Sequence, residues 1–182
     1  MNAENKLLLS ELLQKVNEDN DMIKGKFISP EELVFEERIK MNCFYCGKYQ
    51  NNWKCPPKIP IVDYSNMVNE FESGAFIYLK IPFTENNFND VRRESSLILH
   101  KAMLQMEKYL YQYNNTTALS FIGGSCKLCK GGCGKAMCNN PYESRVPVEA
   151  IGINVIKSAK KCGISISFPP ENKLTRIGLL LY

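Results

Sequence analysis

Apolar residues recur along the chain at two spacings, and each spacing predicts a different kind of element. Near the N-terminus they follow helical spacing and predict a surface helix over about residues 3–18. A longer stripe with the same spacing predicts a helix from Asn87 to about Tyr113. The chain's one histidine, His100, lies beside this stripe, and we expect it at the surface or at the core boundary. From Val148 a third helical stripe runs to a cap at Gly163.

Runs of apolar residues that are too short for helices predict strands at 75–83, 117–122, 164–168 and 175–182. The first two strands flank the long helix, so they form a βαβ unit and are expected to lie parallel. Together these elements predict an α+β fold. It consists of a single sheet of about four strands, two main helices and two cysteine-rich metal-binding loops at one end.

The segments between these elements carry weaker patterns. The motif from Ser29 to Glu32 is typical of a helix start, but the residues after it fit either a strand or a short helix. We expect one metal-binding domain over 1–182. Its parts are an N-terminal helical segment at about 1–40, a cysteine loop at 41–61, and a βαβ–cysteine loop–αββ portion at 74–182.

Composition narrows the class of protein. At 182 residues with 45% apolar side chains, the chain is long and apolar enough for one globular domain. The net charge of +4 is mild, and lysines and carboxylates are mixed along the chain, so we expect no nucleic-acid partner. No apolar stretch has the length of a membrane span and no secretory signal is present. These features predict a cytoplasmic protein without a membrane partner, whose thiols stay reduced.

The segment Phe121–Pro141 carries the strongest chemical pattern. It has the spacing C-x2-C-x3-C-x4-C and includes Cys126, Cys129, Cys133 and Cys138. Tetrathiolate iron–sulfur clusters use similarly short spacings, and nearby glycines allow backbone N–H groups to approach the cluster sulfurs. Interleaved lysines would offset the negative charge of such a cluster. A structural zinc site is the less favoured alternative, since zinc ligands usually form two separated pairs, and disulfides come last.

Another group of cysteines lies earlier in the chain, in the loop at 41–61, which we call the first cysteine segment; residues 121–141 are the second. It consists of Cys43, Cys46 and Cys55, the last followed by two prolines. A C-x2-C turn with a nearby glycine places two sulfurs on one metal, so we favour metal binding over inert core cysteines. Aromatic residues in this loop either shield a cluster from water or bury the loop. Cys162 continues an apolar helix face, and we read it as a core residue in preference to a ligand.

Both cysteine groups, with their surroundings, carry a resemblance to a known family. The shared features are C-x2-C-G-x-Y followed by C-P-P in the first group, and G-G-S-C-x-L-C in the second. Cys133, Cys138 and the later motif R-x-P-x-E-A-x-G-I-x-V from Arg145 extend it. The chain resembles the predicted metal-binding proteins designated domain of unknown function 2284 over about residues 41–163. The resemblance implies metal binding, with iron–sulfur the expected kind, in a family found mainly in anaerobic bacteria and archaea.

The ligand count predicts two different centres. Four thiolates close one 4Fe-4S cluster, which then transfers electrons, whereas three thiolates leave an iron of a second cluster open. We therefore expect an electron carrier or a reductive activator of a redox partner protein. One alternative is a stand-alone enzyme that uses the open iron on a small-molecule substrate, and another is a zinc-stabilised interaction module. Glu149 and Arg145 are candidates for orienting a substrate, although ordinary helix-end and surface roles are favoured.

Overall fold

The computed structural model describes residues 3–18 and 21–182 of the chain. The described residues form α1 (Ala3–Asn17), β1 (Lys24–Ile28), α2 (Glu37–Tyr45), α3 (Tyr64–Val68), β2 (Gly74–Pro82), α4 (Phe88–Gln112), β3 (Leu119–Phe121), α5 (Val155–Lys161) and β4 (Lys173–Leu181). Short 3₁₀ helices at Pro30–Glu32, Glu85–Asn87 and Val148–Ile151 connect some of them. The architecture is therefore α+β, as the apolar pattern predicts.

All four strands belong to one sheet in the order β1-β2-β4-β3, and each neighbouring pair is antiparallel. The central strands β2 and β4 pair along their full lengths, from Gly74 opposite Leu181 to Pro82 opposite Lys173. The short strand β3 pairs only with the last residues of β4. Because β3 is short and lies at the edge, the chain leaves the sheet directly after Phe121 and enters the second cysteine segment.

The strands near 78 and 120 lie parallel, as predicted. Both β2 and β3 run antiparallel to β4, so they point in the same direction and α4 crosses between them. They are not paired, however, because β4 from the C-terminal end of the chain lies between them. Such a split βαβ arrangement is a known supersecondary motif, and its inserted strand comes from a distant part of the sequence.

The sheet separates two apolar clusters, because successive side chains of a strand point to opposite faces. Along β2, Ala75, Ile77 and Leu79 pack against α1 and α4, together with Leu12 and Met103. Phe76 points to the other face, where it joins buried residues of the segment 148–164. The fold therefore has three layers: the helices α1 and α4, the sheet, and a mostly irregular layer on the opposite face that includes the segment 148–164.

One of the four predicted strands is wrong and one observed strand was not predicted, although the count of four is right. Residues 164–168 form no strand; Ile164 and Ile166 instead pack on the sheet face that holds Phe76. The strand β1 was not predicted, and it lies within the segment expected to be helical at about 1–40. That segment also includes residues 1–2 and 19–20, which lie outside the described residues.

Helix boundaries differ at two functional places. The loop expected to be irregular from residue 41 begins as the last turns of α2, so Cys43 is helical. The helix expected from Val148 is divided at Gly152, whose φ of +91° lies in the left-handed region. This division separates the 3₁₀ turn that carries Glu149 from α5.

His100 is buried, with 1% of its surface exposed, and the surface or boundary prediction is wrong. Its Nε2 lies 2.8 Å from the carbonyl oxygen of Glu143, and because a carbonyl only accepts, this nitrogen donates. The buried face of α4 is wider than its apolar stripe and also includes Ser95 and Ser96. Lys127 of the second cysteine segment contacts Ser96, and Glu143 in the chain after it contacts His100, so this cover could not be read from the stripe alone.

Candidate metal centre

The first cysteine segment begins at the C-terminal end of α2. Cys43 lies in the last turn of this helix, and the N–H of Cys46 donates to the carbonyl of Cys43 at 3.1 Å. A series of turns then brings the chain back, with Gln50 donating to the carbonyl of Pro56 at 3.0 Å. Cys55, at 7% exposure, is the most buried of the three thiols, while Cys46 is exposed.

The second cysteine segment is anchored where it leaves the sheet. A Cβ on Gly123 would lie 2.3 Å from the carbonyl oxygen of Ile177 in β4, so only glycine allows this close approach. Farther along, Asn140 Nδ2 donates to the sulfur of Cys129 at 3.1 Å, and Cys138 Sγ lies 3.4 Å from Ser144 Oγ. Polar side chains thus hold sulfurs in a segment that has little regular structure.

Two side chains of the first segment tie it to the second. Asn52 is 5% exposed, and its Nδ2 donates to the carbonyl of Cys126 at 3.2 Å. The neighbouring Trp53 donates from its indole nitrogen to the carbonyl of Gly134 at 2.8 Å. The two segments, separated by more than seventy positions in the chain, therefore meet along a hydrogen-bonded seam.

A cavity of about 390 Å³ lies along this seam. All four cysteines of the second segment line it, namely Cys126, Cys129, Cys133 and Cys138. The first segment contributes Asn52 and Trp53 to its wall. The four cysteines of the second segment therefore line the same cavity.

The lining of this cavity is positively charged. It includes Lys48, Lys54, Arg93, Lys127 and Lys130, and the described lining residues contain no aspartate or glutamate. Burial lowers the pKa of Lys127 to about 8, with nearby arginines acting in the same direction. The cavity is therefore suited to an anionic occupant, because an occupant with negative charge would relieve this repulsion.

The thiols of both segments influence one another electrostatically. Burial raises the pKa of Cys55 to about 12, and charges on thiols of both segments, including Cys43 and Cys126, act in the same direction. Burial and the neighbouring thiols of its own segment raise the pKa of Cys126. The sulfurs are therefore close enough to oppose each other's ionisation. A bound cation reverses this preference, since metal ligation displaces thiol protons.

Glu149 contacts both cysteine segments. Its backbone carbonyl lies 3.9 Å from the sulfur of Cys43, and its carboxylate accepts the N–H of Gly124 at 3.3 Å. Burial raises the pKa of the Glu149 carboxyl. Arg145, the other candidate for orienting a substrate, instead forms an ion pair with Glu107 on α4. It does not line the cysteine cavity, and its role in the described structure is to hold the following chain against α4.

The other residues singled out in the sequence differ in whether they line the cavity. Cys162 is 6% exposed in the core beneath α5, as predicted, and burial raises its pKa to about 11. Among the aromatic residues of the first segment, Trp53 lines the cavity, but Phe44 and Tyr45 are 54% and 78% exposed and shield nothing. Within the described residues, no three or more histidine, cysteine or acidic side chains are arranged to hold a single metal ion.

Sequence reasoning missed several residues of the site. Asn52, Asn140 and Arg93 carry no local pattern, because their partners lie far away in the chain. The positive charge, in contrast, has a sequence signature. Neither 41–61 nor 121–141 contains an acidic residue, whereas each contains three lysines. The expectation that charges are evenly mixed is thus wrong at the site.

Fold and site together define a small α+β protein in which two cysteine segments meet around a cationic cavity. The family model "Predicted metal-binding protein (DUF2284)" matches residues 26–182, and the chain belongs to this family. No curated protein and no solved structure matches the chain. None of the helices in the described part of the chain combines the length and the apolar character that a membrane crossing requires.

Proposed function

We propose that this chain is an iron–sulfur protein that carries two clusters and transfers electrons in the cytoplasm. Cys126, Cys129, Cys133 and Cys138 would hold a 4Fe-4S cluster that relays electrons. Cys43, Cys46 and Cys55 would hold a second cluster with one iron open to an exogenous ligand. The single observation that carries the proposal is the cavity of about 390 Å³ that all four cysteines of the second segment line.

Cavity size and charge favour a cluster over one zinc ion. A tetrahedral zinc site with Zn–S bonds of about 2.3 Å holds its sulfurs about 3.8 Å apart and needs little space. A cavity of about 390 Å³ accommodates a larger inorganic core. A cluster with four thiolate ligands is anionic, and the lysines and arginine of the lining would compensate its charge.

The surrounding lysines also favour a protein partner for electron transfer. Lys48, Lys58, Lys130 and Lys135 are exposed on the two cysteine segments, with no acidic residue in either segment. A surface with one sign of charge attracts an oppositely charged partner and speeds the encounter. The expected partner is therefore an acidic redox protein, which receives electrons or is reductively activated.

The second candidate function is an enzyme that uses the open iron on a small molecule. It is favoured by the three thiols of the first segment and by the position of Cys43, which touches the turn carrying Glu149. Exogenous cyanide, added to the reduced protein, tests this point. A shift of the electron paramagnetic resonance spectrum indicates an exposed iron. An unchanged spectrum argues against the enzyme and leaves electron transfer as the proposed function.

Anaerobic purification followed by absorption and electron paramagnetic resonance spectroscopy tests the proposal as a whole. We expect a brown protein whose visible absorption bleaches on reduction and whose reduced form is paramagnetic. A colourless protein with tightly bound zinc would refute both electron transfer and open-iron chemistry. It would leave the family's metal binding as a structural zinc site.

A further inference from the structure

A second cavity, of about 550 Å³, lies next to the cysteine site but contains none of its cysteines. Its wall is formed by α4, β4, the start of α5 and the chain at 166–170. Most of its lining is apolar, including Phe88, Ile166 and Leu174. Cavities of a few hundred cubic ångströms with apolar walls and a few charged groups are typical small-molecule sites.

The charged groups of this cavity are Arg92, Arg176 and Glu149. Two guanidinium groups against one carboxylate leave an excess of positive charge. The carboxylate of Glu149 is already engaged by the N–H of Gly124. A ligand with a negative charge would therefore meet a favourable field, and a cation would not.

Arg176 is the least satisfied of these groups. Its Nη1 and Nη2 donate to the backbone carbonyls of Gly123 and Arg92 at 3.4 and 3.1 Å. Its Nε is buried and has no hydrogen-bond partner among the residues that the structure describes. Burial lowers the pKa of Arg176, while the carboxylate of Glu149 is an anionic neighbour whose charge acts to raise this pKa. A buried guanidinium nitrogen without a hydrogen-bond acceptor is costly, so a bound anion that accepts from Nε would stabilise this arrangement.

We propose that this cavity binds a small organic carboxylate, whose apolar body packs on Phe88, Ile166 and Leu174 and whose carboxylate faces Arg92 and Arg176. Guanidinium groups bind carboxylates through paired, charge-assisted hydrogen bonds. The apolar walls exclude small inorganic anions as preferred ligands, because such anions would leave this surface without contact. The inference goes beyond the proposed function, since binding of this ligand requires no metal.

The position of the cavity gives the ligand a relation to the metal centre. Gly123, whose carbonyl accepts from Arg176, lies at the start of the second cysteine segment, three residues before Cys126. Glu149 lines the cavity, and its backbone carbonyl contacts the sulfur of Cys43. A carboxylate bound to Arg176 would thus lie beside both cysteine segments without displacing a thiol.

Calorimetric titration of the full-length, anaerobically purified protein tests the proposal. The probes are benzoate, 4-phenylbutyrate and octanoate, each compared with its neutral amide. We expect at least one acid to bind about ten-fold or more tightly than its amide, because the amide loses a charge-assisted interaction. The proposal is overturned if no acid binds more tightly than its amide. This result does not depend on whether the protein carries iron or zinc.

Two matched variants locate the site. Arg92→Gln removes an exposed guanidinium from the lining, and we expect it to weaken binding of the preferred acid about ten-fold. Lys101→Gln removes an equal charge from the exposed side of the same helix, outside the lining, and should leave this affinity unchanged. Equal affinities of both variants and the unaltered chain would place the carboxylate elsewhere and overturn the assignment. Far-ultraviolet circular dichroism verifies that each variant is folded.

Discussion

At the scale of single residues, the environment of each cysteine decides its chemistry. Cys126 lines the cationic cavity, and its backbone carbonyl accepts from Asn52 across the seam. Cys162 lies in an apolar core, where burial keeps it a protonated thiol. Cys126 and Cys162 are therefore expected to have different roles.

Replacement of these two cysteines distinguishes a ligand from a core residue. Cys126→Ser should lower the bound iron and the visible absorption strongly, since it removes one thiolate from a four-thiolate site. Cys162→Ala should retain both, at a cost of about 1 kcal/mol in the free energy of unfolding for its lost packing. Metal analysis and absorption of both variants check this. Loss of iron from Cys162→Ala with retention in Cys126→Ser would reverse the assignment.

His100 gives a residue-scale prediction about pH. Burial lowers its pKa below the ordinary 6.5, with Glu143, Glu107 and Arg145 as its charged neighbours. As pH falls through about 6.5, the unfolded chain therefore takes up the proton more readily than the folded chain, and protonation favours unfolding. Its Nδ1 is buried without a partner in the described structure, so the charged ring has no acceptor there.

We expect the midpoint of urea unfolding to be lower at pH 5.5 than at pH 7.5. His100→Gln, whose amide can still donate to the Glu143 carbonyl, should cost about 1–2 kcal/mol at pH 7.5 through altered packing. It should also flatten the pH dependence. An equally steep dependence in the variant would mean that other groups titrate in this range.

That the four cysteines of the second segment lie near one another could be predicted from their spacing, whereas the surroundings of His100 could not. Its burial depends on the carbonyl of Glu143, which lies forty-three positions away, and on the cover that the following chain provides. Asn52 has the same difficulty, because its partner Cys126 is seventy-four positions away. Local patterns report neither kind of contact.

At the scale of elements, the seam between the two cysteine segments is the critical feature. Neither segment has much regular structure of its own, so each depends on the other and on the sheet for its shape. Asn52 contributes to both, because its Oδ1 accepts the N–H of Lys54 at 2.9 Å while its Nδ2 donates to Cys126. The side chain of its neighbour Asn51 is exposed and makes one long hydrogen bond in the described structure, of 3.4 Å, to the carbonyl of Gly47.

These adjacent asparagines form a matched pair for mutagenesis. Asn52→Ala leaves a donor and an acceptor without partners in a buried place, and should cost about 1–3 kcal/mol and weaken iron retention. Asn51→Ala should change the free energy of unfolding by no more than about 0.5 kcal/mol. Urea unfolding and iron content after gel filtration measure both effects. If Asn52→Ala behaved like Asn51→Ala, the seam would not hold the segments together.

Strand prediction succeeded and failed at this scale for a physical reason. The segment 164–168 alternates apolar and polar residues like a strand, but a strand also needs a partner edge. The edge of β4 that faces β2 is paired along its full length, and the segment 164–168 packs on a sheet face instead of extending the sheet. The short strand β1 carries two lysines among its five residues, so its apolar pattern is weak, yet it pairs with β2 over its whole length.

At the scale of the whole molecule, the sheet brings distant segments together and concentrates positive charge at one place. The helix α4 connects β2 to β3, and the second segment follows β3. The 3₁₀ turn with Glu149 lies against α2, where the first segment begins. The chain as a whole has a net charge of only +4, but both cysteine segments lack acidic residues. This arrangement is what an anionic metal cluster and an acidic redox partner would require.

The most direct test of two thiolate-bound clusters is the content of iron and acid-labile sulfide per chain, measured after anaerobic purification and reconstitution. Two 4Fe-4S clusters predict about eight iron atoms and about eight sulfide ions per chain. The Cys126→Ser variant should fall to about half of both values, since the first segment keeps its own cluster. Stoichiometric zinc with no acid-labile sulfide would contradict the account.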